Sequence, residues 1–185
     1  MQKGKIIFLN GVSSSGKTTL AKTLQERLPQ PYFHLDVDEF CLMAPELSRY
    51  YDVGDYSLQH KFVSNMSDIA KLLSDKGFNL IISVVFLKDY DFLEKCVTAL
   101  HSHLVLFVHV TCPVDELRRR EKERGNRLIG STEAMLPILI PRDVYDMVVD
   151  TFNSSTEECV NKIIRLLDYP EKFTAFKKLW QQCSE

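Results

Sequence analysis

The eight residues Gly11-Val12-Ser13-Ser14-Ser15-Gly16-Lys17-Thr18 constrain this chain more than any other segment. They fit the Walker A spacing G-x-x-x-x-G-K-[ST] at every fixed position. The apolar run Lys5–Leu9 precedes them, and Leu20, Leu24 and Leu28 follow at helical spacing until Pro29 stops the helix. A strand therefore runs into a glycine loop that opens a helix. Such a loop turns successive backbone N–H groups onto phosphate oxygens, and the helix terminus adds partial positive charge. Gly11, Val12, Ser13, Ser14, Ser15, Gly16, Lys17, Thr18 and Thr19 are expected to hold the phosphates of a nucleoside triphosphate. Lys17 would reach the outer phosphates and the Thr18 hydroxyl would ligate Mg²⁺.

Downstream, short apolar runs alternate with helical patterns. Strands are expected at Pro31–Leu35, Leu80–Phe86, Leu104–Val110 and Met147–Val149. Helices are expected from about Leu58 to Leu73, Asp89 to His101, Pro113 to the Gly125 region, Ser155 to Leu167 and Pro170 to Gln182. Ser155-x-x-Glu158 is a capping box for the fourth of these. Strands alternating with helices specify an α/β domain with a mostly parallel sheet. Nothing divides the 185 residues, so they read as one domain with a lid segment at about 118–142.

The net charge is −2, which excludes a broadly basic nucleic-acid binder. That total conceals an uneven distribution. Residues 1–30 carry five Lys/Arg and one Glu, and residues 118–127 carry six and two, so positive charge gathers in two segments of an otherwise acidic chain. No apolar stretch approaches the roughly 20 residues that span a bilayer, and the N-terminus lacks a signal-peptide core. The five cysteines form no C-x-x-C pair. They read as small buried hydrophobes in a reducing cytoplasm, with no membrane and no nucleic-acid partner.

Phosphoryl transfer to an alcohol needs a carboxylate near the acceptor hydroxyl. Asp36 and Asp38 lie just past the second strand, on the rim where open parallel sheets bind ligands. One is expected to serve substrate or metal, with Asp36 assigned to the metal beside Thr18, and the other to be structural. Arg120, Arg124 and Arg127 follow at spacings of four and three, as lid arginines that stabilise a migrating phosphoryl group would. Arg118 and Arg119 read as surface charges. Residues 39–59, rich in Tyr, are expected to shape the acceptor pocket. The histidines show no ligand spacing, His109 reads as a satisfied core residue, and Phe173, Phe176 and Trp180 read as a core stripe.

Several segments together resemble the chloramphenicol phosphotransferase-like family of P-loop kinases. They are Ile7–Lys17, Leu28-Pro29-Gln30-Pro31 leading to Val37-Asp38, Val85-Phe86-Leu87, and Cys112-Pro113 with Arg120-Glu121 and Arg124-Gly125-Asn126-Arg127. Tyr145-Asp146 with Val149-Asp150-Thr151 completes the set. The resemblance implies a P-loop NTPase-type three-layer sandwich with a five-stranded parallel sheet, and ATP-dependent phosphorylation of a small-molecule hydroxyl. It also implies Asp38 as general base and Arg120, Arg124 and Arg127 as lid arginines. The chain departs from the pattern at Ser83-Val84, where the third strand of the namesake ends in acids, and at Met135 and Ile140. The competing readings are a P-loop kinase for a sugar acid, nucleoside or peptidoglycan precursor, and a nucleotide-binding regulator without catalysis.

Overall fold

Ile6, Ile7, Phe8 and Leu9 are completely buried, because a strand at the centre of a parallel sheet is covered on both faces. The computed structural model describes residues 2–43, 57–86, 92–125 and 129–183, without the side chains of 41, 42, 57–60 and 62–64. Its sheet comprises β1 (Ile6–Asn10), β2 (Tyr32–Asp36), β3 (Asn79–Val84), β4 (Val105–Thr111) and β5 (Met147–Asp150), in the order β2-β3-β1-β4-β5. All four pairings are parallel. The fold is the expected α/β sandwich with a five-stranded parallel sheet.

Helices α1 (Lys17–Arg27) and α7 (Thr156–Leu166) cover one face. Leu20, Ala21 and Leu24 from α1 and Cys159, Val160 and Ile163 from α7 pack there on Ile7, Leu9 and Ile81. The other face carries α3 (Ser57–Asp75), α4 (Phe92–Leu100) and α8 (Ala175–Cys183). Met66, Ala70, Cys96, Val97 and Phe176 pack there on Phe8, Ile82 and Phe107. Each fully buried aliphatic or aromatic side chain contributes about 1.5–3 kcal/mol of transfer free energy. The remaining helices, α2 (Val37–Leu42), α5 (Val114–Arg124) and α6 (Ser131–Met135), stand at the carboxyl ends of the strands. The capping box forms as expected: Glu158 N–H donates to Ser155 Oγ at 3.2 Å, and Ser155 N–H to Glu158 Oε2 at 2.8 Å.

Three expectations need correction. The C-terminal helix splits into a 3₁₀ turn, Pro170–Lys172, and α8, because Asp146 Oδ1 accepts the N–H groups of both Thr174 and Ala175. Trp180 is 38% exposed and stacks on His101, so the core stripe reduces to Phe173 and Phe176. Cys183 is exposed, whereas Cys96, Cys112 and Cys159 are buried as expected; the side chain of Cys41 lies outside the described residues. Among the described residues, no helix is long and apolar enough to cross a membrane.

Candidate active site

The loop between β1 and α1 approaches the backbone closely. A Cβ at Gly11 would lie 2.3 Å from the Val110 carbonyl oxygen, so only glycine passes there. Gly16 takes φ +98° and Ser14 φ +61°, and these left-handed turns curl the chain into α1. Helix α1 has no side-chain cap and no acidic residue in its first turn, so its positive end stays open to an anion. The hydroxyls of Ser13, Ser14 and Ser15 are buried with no partner among the described residues. Buried polar atoms without partners are costly, and a polyanion at this helix terminus is a chemically matched occupant. Lys17 Nζ folds back to donate to the carbonyls of Gly11 at 2.7 Å and Val12 at 3.0 Å, placing the ammonium over the loop. Thr18 and Thr19 are exposed at the same helix start.

Two strand spacings away, about 10 Å on strand geometry, β2 ends at Asp36. The buried Asp36 carboxylate accepts the Asp38 N–H at Oδ1 (2.8 Å), which caps α2. Asp38, in the first turn of α2, is exposed at the rim. Asp38 therefore stands outward, and Asp36, expected to serve the metal, fixes the turn that carries it. Asp36 spends one oxygen on the cap and keeps the other, 3.8 Å from His34 Nε2. Thr18 and Asp36 are oxygen donors of the kind a hard cation such as Mg²⁺ takes.

On the opposite flank, Arg120 of α5 reaches the phosphate loop. Its guanidinium donates to Thr151 Oγ1 and to the Thr151 carbonyl, both at 3.0 Å, and to the Ser14 carbonyl at 3.5 Å. Glu116 accepts from both Arg119 and Arg120, and those bonds hold its carboxyl down at about 2. Arg124 is exposed one turn further on, before Gly125 ends the helix at φ +62°. Arg127 lies outside the described residues, as do residues 44–56 of the expected acceptor segment. Arg118 and Arg119 pair with surface carboxylates, as expected of surface charges.

Four features escaped the sequence reading. Thr151, just past β5, receives Arg120 while its own hydroxyl donates to the Ser15 carbonyl at 2.8 Å. Glu121 is buried on α5, and its carboxylate accepts from Gly130 N–H, Thr132 N–H and the hydroxyls of Ser131 and Thr132. Those bonds, led by the Thr132 hydroxyl, hold its pKa near 2 and tie α6 to α5. His34, which showed no ligand spacing in the sequence, sits 2.8 Å from Ser83 Oγ, and burial holds its pKa below the ordinary value against Asp36 and Glu39. His109 is buried as expected but not satisfied. Its Nδ1 has no partner among the described residues, its ring stacks on Tyr145, and burial pushes its pKa down to about 4.

The Glu121 geometry makes a direct prediction. Glu121→Gln would turn an amide N–H₂ towards donors that now meet a carboxylate, which should speed tryptic cleavage after Arg124 about tenfold, the loss of one charge-assisted bond. Because the folded pKa lies below the ordinary 4.5, the clasp contributes fully above that pH and is lost as pH falls towards about 2. Cleavage at the wild-type rate in the variant would show that the carboxylate does not hold α6 to α5.

A family model described as chloramphenicol phosphotransferase-like protein matches residues 4–168. The chain is 26% identical to the adenylyl-sulfate kinase of Clostridium acetobutylicum over 178 residues, covering 90% of this chain and 84% of that protein. Among solved structures, it is similar to the Mycobacterium tuberculosis APS kinase in complex with AMPPNP and APS, with TM-score 0.68, 20% identity, and coverage of 91% and 99%. The Deinococcus radiodurans tunicamycin resistance protein gives TM-score 0.66 and 23% identity, over 89% of this chain and 96% of that one. At these identities the two structures establish the fold.

Proposed function

The chain belongs to the chloramphenicol phosphotransferase-like family, and from that premise we propose that it transfers the γ-phosphoryl group of ATP to a hydroxyl of a small molecule. The observation that carries this reading is the phosphate loop, with three buried serine hydroxyls that lack partners among the described residues, at a helix terminus without a side-chain cap. Residues Gly11 to Thr19 would bind the triphosphate through backbone N–H groups, with the Lys17 ammonium over the outer phosphates. Thr18 and Asp36 would hold Mg²⁺, which when bound draws negative charge from the phosphate oxygens. Arg120 and Arg124 would offset the charge of the migrating group from the lid side, with Arg127 proposed as the third. Asp38, exposed on the opposite flank, would orient the acceptor hydroxyl and take its proton. The antibiotic and nucleotide-sulfate substrates named for similar proteins suggest small, polar, hydroxyl-bearing acceptors.

The test is a panel of hydroxylated antibiotics, sugar acids and nucleosides incubated with ATP and Mg²⁺, read as acceptor-dependent ADP release. At least one acceptor should raise ADP release, and its O-methyl derivative should not. Tight ATP binding without turnover on any acceptor would favour a regulator over an enzyme.

A further inference from the structure

The phosphoryl-transfer reading leaves the buried pair Ser83 and His34 without a task. In the sheet register, Asp36 of β2 faces Ser83 of β3, which faces Leu9 of β1. Ser83 therefore stands midway along the rim between the phosphate loop and Asp36. Side chains alternate across a strand. Leu9 and Ile81 lie against α1, so Ser83 projects onto the face where that helix opens with Lys17 and Thr18. Its hydroxyl, on a residue only 3% exposed, meets His34 Nε2 at 2.8 Å. The same nitrogen lies 3.8 Å from Asp36 Oδ2, and Nδ1 lies 4.0 Å from Glu39 Oε2, beside a cavity of about 400 Å³ lined by Lys22, Gln25 and Glu39.

We propose that Ser83, oriented by His34, is a positioning residue for the Mg²⁺ of the nucleotide complex, accepting a hydrogen from a water of the metal's shell. This rests on the reading above. A serine hydroxyl has one proton and two lone pairs. Whichever tautomer His34 adopts, at least one lone pair of Ser83 stays available to a water on the rim. P-loop proteins commonly place a carboxylate in this supporting role. Here a hydroxyl fixed by the His34 ring would perform it, with Asp36 as its neighbour.

The experiment measures Mn²⁺ affinity by electron paramagnetic resonance on protein loaded with a non-hydrolysable ATP analogue. Groups that support metal ligands typically contribute 10–100-fold to metal affinity, so Ser83→Ala should weaken Mn²⁺ binding about tenfold while metal-free analogue affinity stays unchanged. His34→Ala should do the same, and the double variant should be no weaker than either single one. His34→Gln, whose amide can also bond Ser83, should recover most of the loss. Unaltered Mn²⁺ affinity in Ser83→Ala, with the analogue bound, would overturn the proposal and leave the phosphate site standing. Failure of the wild-type protein to bind the analogue would overturn both.

Discussion

Replacing Asp38 with asparagine should slow turnover by about 10²–10⁴-fold, the range that a positioned general base contributes. Asparagine keeps the shape and an acceptor oxygen but cannot take the proton of an incoming hydroxyl. The turn itself should survive, because the bond that starts α2 runs from the Asp38 backbone N–H to Asp36 Oδ1 and uses no side-chain atom of residue 38. Nucleotide affinity should likewise hold, since Lys17 and the uncapped start of α1 follow a different strand, β1. Calorimetric ATP binding beside steady-state ADP release separates the two effects. An unchanged kcat would remove Asp38 from the chemistry.

Gly11→Ala should be the most damaging small substitution in the loop. The added methyl would lie 2.3 Å from the Val110 carbonyl oxygen and 3.2 Å from its carbon, and backbone on a central strand cannot step aside. Forcing such a group into a packed site costs about 1–3 kcal/mol. For a chain of this length that corresponds to a fall in Tm of roughly 2–12 °C. The larger loss should be in binding, because the loop that relieves the clash no longer points its N–H groups at one place; ATP affinity should fall beyond detection by calorimetry. Gly125 offers the control. An alanine there meets nothing within 4 Å, so its cost is confined to the φ of +62° that ends the lid helix, and ATP should still bind.

The features legible in the sequence were those written in consecutive residues. The phosphate loop, the alternation of strands and helices, the Ser155–Glu158 box and the glycine after α5 each depend on neighbours a few positions apart. Period and spacing report such neighbours directly. What stayed hidden depends on pairs that the fold alone brings together. Ser83 and His34 are 49 positions apart, Thr151 and Ser15 are 136 apart, and Asp146 reaches 28 residues forward to Thr174. Asp36 illustrates the boundary between the two. An acid after a strand is either a cap or a ligand, and only the actual end of β2 decided that one of its oxygens is a cap. His109 erred in the opposite direction, since strand burial predicts a partner that the packing does not supply.

The Thr151 hydroxyl carries a consequence for inheritance. Its single proton goes to the Ser15 carbonyl, so towards Arg120 it can only accept, and both bonds need one small group with an oxygen at that point. Beside its bonds to the Ser14 and Thr151 carbonyls, an arginine at position 120 gains this further hold only in a chain that supplies such an oxygen at 151. A valine there would keep the shape and lose both bonds at once. The side chains at 120 and 151 thus depend on one another although they stand in separate stretches of the chain, whereas position 15 enters only through its backbone carbonyl.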